Sequence, residues 1–179
     1  YSVSAANSEM TRTIQMALPG GTVSQVAVNP PIDEKPDRIP LTQAHKTGVL
    51  DPLGSVLMPT IVAKPEDACN RKIPIFDGSQ RFDIQLSYAG TRSAQAQDGY
   101  AGPVLICKAR YNPIAGHRAR RPAVQYMADN KDIEAWLAPS GADGIYIPFR
   151  ISVKTQVGTT VLQATRFRDE VGEVAAGAP

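Results

Sequence analysis

The segment at residues 73–88 constrains the fold more strongly than any other part of the chain. Two short strand-like runs, residues 73–76 and 81–88, flank the turn tripeptide Asp77-Gly78-Ser79, and this arrangement is typical of a β-hairpin. In the second run an apolar set alternates with a polar set: Phe82, Ile84, Leu86 and Tyr88 against Arg81, Asp83, Gln85 and Ser87. Successive side chains of a strand point to opposite faces, so the alternation predicts a strand with one buried face.

Strand signals of the same kind cover most of the remaining chain. Alternating or apolar runs predict strands at residues 11–18, 22–28, 103–111, 133–138, 145–153 and 160–168. Gly20-Gly21 turns the first pair into a hairpin, whereas residues 124–132 fit either a strand with a turn or a short helix. Short strands with turns between them predict a mainly β fold in which an antiparallel sheet curls or closes.

One short helix is expected after a proline-rich connection. Residues 29–40 contain four prolines in twelve positions, and proline lacks the donor that a sheet ladder needs, so this stretch is predicted to be an extended connection. The helix is predicted within residues 41–59, because Asp51 can cap it and Pro52 suits its first position. Its apolar face would consist of Leu53, Val56 and Leu57.

Length and charge limit the kinds of protein that this chain can form. With 179 residues it fits a single β domain, predicted to cover residues 1–170 and to be followed by a flexible tail at 171–179. Its 19 basic and 17 acidic residues leave a net charge of +2, which gives no general field for nucleic acid. No apolar run approaches the roughly 18 residues that a transmembrane helix needs.

The first residue and the two cysteines leave two questions open. Tyr1 is not an initiator methionine, which fits either the loss of a signal peptide or an internal piece of a longer chain. Cys69 and Cys107 fit either one disulfide in an exported protein or two buried thiols in a cytosolic one. No C-x-x-C pair indicates redox catalysis, and the cysteines and histidines lack zinc-ligand spacing, so neither a metal nor a cofactor is expected.

Acid–base chemistry would depend on two histidines. His45 lies six residues before Asp51, and His117 lies in a loop bounded by prolines. A hydrolase would pair one of them with an aspartate such as Asp51 or Asp77 and with a serine. No G-x-S-x-G elbow accompanies them, and isolated loop histidines are more often structural, so we predict a protein without catalytic residues.

Residues 99–128 contain no acidic side chain, which is the clearest local departure from the balanced composition. The candidate anion-binding residues in this window are Arg110, His117, Arg118, Arg120 and Arg121. Guanidinium groups bind phosphate and carboxylate through forked hydrogen bonds, and lipid headgroups are one source of such groups in an envelope. A solvated basic loop is the alternative. Nucleic acid is not expected, because aromatic residues for base stacking are absent from the cluster.

Several unusual strings resemble those of one protein family. Residues 30–40 read P-P-I-D-E-K-P-D-R-I-P, residues 45–52 read H-K-T-G-V-L-D-P, and residues 68–83 read A-C-N-R-K-I-P-I-F-D-G-S-Q-R-F-D. Y-N-P-I-A-G-H-R at 111–118, A-D-N-K-D-I-E-A-W-L-A-P at 128–139 and L-Q-A-T-R-F at 162–167 follow in order. These strings are similar to those of the envelope proteins of Gram-negative bacteria grouped as domain of unknown function 3108.

The resemblance implies export to the periplasm, a strongly curved antiparallel sheet of spiral or half-barrel type, and no known catalytic residues. It also implies a disulfide between Cys69 and Cys107. Members of the family are expected to carry further strands before the position of Tyr1, and without them the sheet has an open edge that must be covered.

The expected function is therefore that of a non-enzymatic periplasmic envelope protein. The curved sheet would hold an apolar or lipid-like ligand in a groove, or bind another envelope protein. The predicted inward face consists of Phe82, Ile84, Leu86, Ile147, Phe149 and Ile151. The same side chains fit a solid core without a ligand. The alternative function is a hydrolase that uses His117 or His45 with an aspartate.

Overall fold

The computed structural model describes residues 1–6, 11–60, 64–141 and 144–168. These residues form a mostly β fold with one α-helix and a strongly curled antiparallel sheet, which confirms the predicted fold class. Within these ranges, no helix is long and apolar enough to cross a membrane. The predicted flexible tail at residues 171–179 lies outside the described residues.

Twelve strands and one α-helix make up the regular structure of the described residues. The strands are β1 (Ser2–Ala6), β2 (Thr11–Ala17), β3 (Gln25–Asn29), β4 (Met58–Pro59), β5 (Lys72–Phe76), β6 (Arg81–Gln95), β7 (Asp98–Gly99), β8 (Ala101–Ala115), β9 (Ile133–Pro139), β10 (Ile145–Thr155), β11 (Gly158–Gln163) and β12 (Arg166–Phe167). The helix α1 spans Pro122–Asp129. Short 3-10 turns occupy Pro19–Gly21, Ala44–Lys46, Gly54–Val56 and Pro65–Ala68.

The strands form three sheets. β1, β2 and β3 make an antiparallel sheet of three strands. A seven-stranded sheet has the order β11-β10-β9-β8-β6-β5, and β4 pairs with β10 outside this path. β7 and β12 form a short parallel pair.

The chain divides into two compact units, each built from three stretches of sequence. The first unit comprises Tyr1–Ser55, Lys72–Gln85 and Arg110–Asn130. The second comprises Val56–Arg71, Leu86–Ala109 and Lys131–Pro179. Strands β6 and β8 contribute residues to both units. The single domain expected over residues 1–170 stays a prediction.

The first unit has its own apolar core. Met16, Val23, Val49 and Phe76 are buried together. The neighbouring Leu50 is attached to β5, because its N–H donates to the carbonyl of Pro74 (2.8 Å) and its carbonyl accepts from the N–H of Phe76 (2.9 Å). These two backbone hydrogen bonds hold the loop before residue 51 against the core.

The second unit has a separate core and the disulfide. Its buried cluster consists of Ala96, Val104, Ile106, Ala138 and Phe149. Cys69 and Cys107 are bonded, with Cα atoms 5.2 Å apart, and both are fully buried. The bridge links the residue that follows the 3-10 turn Pro65–Ala68 to the middle of β8. The pairing that the family resemblance implies is therefore present.

The helix predicted within residues 41–59 is wrong, and the α-helix lies at Pro122–Asp129 instead. Asp51 does form a cap, since its Oδ1 accepts hydrogen bonds from the backbone N–H groups of Leu53 (2.9 Å) and Gly54 (3.0 Å). Only a 3-10 turn follows, because Met58 already pairs with β10. For residues 124–132 the sequence allows either a strand with a turn or a short helix, and the structure has the helix, which ends at Asp129.

The hairpin predictions are confirmed, but β6 differs from its predicted alternation. β5 pairs with β6, and β2 pairs with β3. Asp83, expected on the solvent face, is buried and forms an ion pair with Arg81 (Nη1–Oδ1 2.6 Å). Tyr88, expected on the buried face, is exposed. Strand β1 was not predicted, because S-V-S-A-A contains only one branched apolar side chain.

Replacing both cysteines tests how much the disulfide stabilises the fold. We expect Cys69→Ala/Cys107→Ala to unfold at lower urea concentration, because a cross-link with a sequence separation of 38 residues restricts the unfolded chain. In the chain-entropy description the loss in unfolding free energy is about 4 kcal/mol. Wild type in dithiothreitol is the control and should resemble the variant. Equal urea midpoints for the oxidised wild type and the variant would contradict the prediction.

Candidate functional site

A groove in the second unit, which we call the β10 groove, is the candidate site. β10 pairs with β9 on one side. On its other side, β4 pairs with Ile145 and Tyr146, and β11 pairs with residues 150–155. No described strand pairs with residues 147–149 on that side, and a groove of about 460 Å³ opens there. The groove therefore lies where one strand has an uncovered stretch of edge.

Apolar side chains from three segments line the β10 groove. Two lining residues precede β4, five belong to β10, two end β11 and one follows it. The described lining is Val56, Leu57, Ile147, Pro148, Phe149, Arg150, Ile151, Leu162, Gln163 and Ala164. Phe149 is only 1% exposed, whereas Leu57 and Leu162 are 54% and 71% exposed. The groove is thus buried at Phe149 and leaves apolar surface in contact with solvent at the two leucines.

A β-bulge at Phe149 changes which residues of β10 share a face. Pro148 and Arg150 lie opposite neighbouring residues of β9, so Phe149 is an extra residue in this ladder. The β9 partners of Ile147 and Ile151 are three positions apart, and directly opposed residues share a face. Ile147 and Ile151 therefore lie on opposite faces, and the uninterrupted alternation predicted over residues 145–153 is wrong. Both reach the groove because it lies at the edge of the strand.

The six residues predicted for an apolar groove fall into separate sets. Ile147, Phe149 and Ile151 line the β10 groove. Phe82 and Ile84 belong to the first unit, where Phe82 packs on Tyr111 with ring centroids 5.3 Å apart and Ile84 pairs with Ile73. Leu86 is buried in the second unit and is not part of the groove lining.

Seven of the ten described groove residues are not predicted from the sequence, and Val56, Leu57 and Leu162 are the large aliphatic side chains among them. The first two carry an apolar signal, but in the sequence this signal predicts one face of a helix. Leu162 belongs to a predicted strand without an assigned partner. Only the pairing of β4 and β11 with β10 brings these side chains together.

A charged cluster surrounds Trp136 next to the groove residue Arg150. The guanidinium carbons of Arg150 and Arg92 lie 4.7 Å and 5.2 Å from the indole ring centroid, within the range of cation–π contacts. Glu134 accepts hydrogen bonds from Nζ of Lys108 (2.8 Å) and from Nε1 of Trp136 (2.6 Å). These two bonds, that from Lys108 first, lower the pKa of Glu134 below its ordinary value.

The predicted anion-binding residues do not all come together. His117, Arg118 and Arg121 line a polar pocket of about 200 Å³ in the first unit. Arg110 instead donates to the backbone carbonyl of Asn130 (Nη1–O 3.2 Å), and Arg120 is exposed and outside the pocket lining.

The same pocket contains three cations that the sequence reasoning missed, Arg12, Lys35 and Arg38. They lie far from residues 99–128 in the chain, so a local charge count could not find them. A carboxylate also lies close by, since Arg118 donates to Asp37 (Nε–Oδ1 2.9 Å). This hydrogen bond lowers the pKa of Asp37 below its ordinary value.

Neither histidine is hydrogen-bonded to an aspartate within the described ranges. Nδ1 of His45 accepts a hydrogen bond from the backbone N–H of Thr42 (3.1 Å). Nδ1 of His117 is buried and has no hydrogen-bond partner in the described part of the chain. The hydrolase alternative gains no support from these contacts and stays a prediction.

The fold and the groove define a mainly β protein with a curled antiparallel sheet, one disulfide and an apolar groove along a strand edge. The chain belongs to the family described as protein of unknown function (DUF3108), whose model matches residues 1–165. The resemblance found in the sequence is thereby confirmed. No curated protein and no solved structure matches the chain.

Fluorescence of Trp136, the single tryptophan, can report the protonation of Glu134. The carboxylate form of Glu134 keeps both hydrogen bonds, so these bonds stabilise the folded protein above the ordinary pKa of 4.5. That stabilisation is lost as the pH falls through the lower pKa that Glu134 has in the folded protein. We expect an acid fluorescence transition centred below 4.5.

The variant Glu134→Gln should lack this transition, because its amide does not titrate. Asp132→Asn is the matched control, since Asp132 pairs with Lys154 (Oδ2–Nζ 3.3 Å) and its side chain is 62% exposed. It should keep the transition. A Glu134→Gln protein with an unchanged acid transition would show that another carboxyl group causes it.

Proposed function

We propose that this protein is a non-enzymatic binding protein of the cell envelope that holds the acyl chain of a lipid-like ligand in the β10 groove. The observation that carries the proposal is the apolar lining at the uncovered stretch of β10. Pockets for small ligands commonly measure about 300–1,000 Å³ and combine apolar walls with a few polar groups. The β10 groove, at about 460 Å³, falls in this range.

The exposed leucines supply a driving force for binding an apolar chain. Leu57 and Leu162 are both more than half exposed, and covering a leucine side chain completely is worth about 1.5–3 kcal/mol. Part of that free energy would come from covering these two side chains with methylene groups. Arg150 is the one charged residue in the described lining, and it supports a ligand with an anionic end.

Backbone chemistry favours an acyl chain over an added strand from another protein. The uncovered stretch at 147–149 spans three residues. Pro148 has no N–H to donate, and the carbonyl of Phe149 already accepts a hydrogen bond from the N–H of Ala164 (2.9 Å). Strand addition depends on main-chain hydrogen bonds, and few are left here for a partner strand.

Two features support a periplasmic location. Disulfides persist in oxidising compartments and are rare in the cytosol, and Cys69–Cys107 is such a bond. Membership of a family that we associate with the Gram-negative envelope agrees with export. These features, together with the apolar groove, support a lipid-binding role in the periplasm.

The variant Leu162→Glu tests the groove directly. Leu162 is 71% exposed, so the fold should tolerate the change, whereas a bound acyl chain would have to desolvate the new carboxylate. We expect the affinity for dansylated undecanoic acid, followed by probe fluorescence, to fall by about tenfold or more.

The matched control is Val157→Glu in the turn between β10 and β11. Val157 is 97% exposed and does not line the groove, so the same added charge should change affinity by less than about twofold. Native mass spectrometry before and after organic extraction provides a second measurement. A lipid-sized adduct that extraction removes would support the proposal.

Other results would overturn it. Equal probe binding by wild type and Leu162→Glu would place the ligand elsewhere. A clean apo mass together with no probe binding would favour a protein partner instead. Turnover of an ester, phosphate or glycoside substrate that His117→Ala abolishes would establish the hydrolase.

A further inference from the structure

We propose that the first unit binds a phosphate group, as a free phosphate or as the head of a phosphorylated lipid, in a pocket independent of the β10 groove. We call this the basic pocket, and its basic lining residues are Arg12, Lys35, Arg38, His117, Arg118 and Arg121. They come from three stretches of sequence. Their convergence is a product of the fold, whereas a solvated basic loop would draw its charges from one stretch alone.

Two paired backbone segments build one wall of the pocket. The N–H of Ile39 donates to the carbonyl of His117 (2.9 Å), and the N–H of Ala119 donates to the carbonyl of Asp37 (2.9 Å). This pairing places Arg38 directly opposite Arg118. Like charges in directly opposed positions repel each other, so the pocket contains a local excess of positive charge that an anion can relieve.

Protein acceptors orient both guanidinium groups while leaving donors for a ligand. Arg118 donates from Nε to Asp37 (2.9 Å), and Arg38 donates from Nη2 to the carbonyl of Ser79 (2.9 Å). Each guanidinium has five N–H donors in a planar fork. One such bond fixes the orientation of the group and does not exhaust its donors, which is the arrangement that a phosphate oxygen pair requires.

Glycine at position 116 permits the close approach that this wall needs. Gly116 has φ +79°, and a Cβ at this position would lie 2.2 Å from the carbonyl oxygen of Ser79. That oxygen is the acceptor for Arg38. The next residue, His117, has its Nδ1 buried without a hydrogen-bond partner in the described residues, which adds an unused polar atom beside the pocket.

Charge and size favour phosphate as the ligand. Among the described residues the pocket has five cationic side chains, and Asp33 and Asp37 are the carboxylates at it. The remaining positive charge suits a phosphate, which carries about −1.5 to −2 at neutral pH as a monoester and a single negative charge as the phosphodiester of a lipid headgroup. The volume of about 200 Å³ suits a small anionic group. No Phe, Tyr or Trp occurs in the described lining, so this lining offers no such ring on which a nucleic-acid base could stack.

Neighbouring arginines provide a matched pair of variants. Arg121 lines the pocket and Arg120 does not, yet both are exposed and precede the same helix. We expect Arg121→Ala to weaken binding of inorganic pyrophosphate by about tenfold or more in isothermal titration calorimetry, because a charge-assisted hydrogen bond is lost. Arg120→Ala removes the same charge from the same loop and should change affinity by less than about twofold.

A second probe distinguishes the sources of phosphate. Sedimentation with phosphatidylglycerol vesicles, against phosphatidylcholine vesicles, tests a lipid headgroup with the same two variants. Pyrophosphate binding that Arg121→Ala weakens and Arg120→Ala does not supports the pocket with a soluble ligand. The same pattern on phosphatidylglycerol alone supports it with a headgroup.

The remaining outcomes overturn the proposal. Equal losses for Arg121→Ala and Arg120→Ala would show binding to overall charge, and no binding of either probe would show that the pocket holds no phosphate. Arg38→Ala is a stronger variant, used with circular dichroism as a check of its fold. Leu162→Glu should bind the phosphate probe normally, so a failure of the acyl-chain proposal is distinguishable from a failure of this one.

Discussion

The pairing of β10 with three different strands is the interaction on which the candidate site depends. β9 follows β10 along most of its length, whereas β4 and β11 each cover only part of its other edge. An open edge normally exposes backbone donors and acceptors. Here the open stretch contains Pro148, which has no N–H, and the carbonyl of Phe149 is already occupied. The incomplete ladder therefore leaves an apolar gap.

The first unit contains a different constraint, which is the crowding of positive charge. Arg38 and Arg118 are opposed across paired segments, and each guanidinium is held by one protein acceptor. The protein neutralises this charge only in part. Elsewhere in the unit, the buried Asp83 forms an ion pair with Arg81 (Oδ1–Nη1 2.6 Å). Asp83 and Arg81 neutralise each other and form an interior ion pair. The guanidinium of Arg38 is held in place by a neutral carbonyl, so its charge is available to bind an anion.

Local patterns predicted most of the strands, because alternation and turn residues act between neighbours in sequence. The hairpin around Asp77-Gly78-Ser79 and strand β9 are examples. The helix expected within residues 41–59 failed for a long-range reason. Asp51 caps the turn as its chemistry predicts, but Met58 and Pro59 pair with β10 before a helix can extend. Helix α1 carried only an ambiguous local signal, and tertiary context decided it.

By itself, the sequence determined the mainly β class, the hairpins and the family, since these depend on residue order and side-chain type over short distances. It also named His117, Arg118 and Arg121 as basic residues of interest. Only the tertiary structure decided that Arg12 and Arg38 join them, and that Val56 and Leu162 line the same groove along one edge of β10. The register of the strand pairs and a single bulged residue determine which side chains come together, because shifting a strand by one position exchanges its two faces.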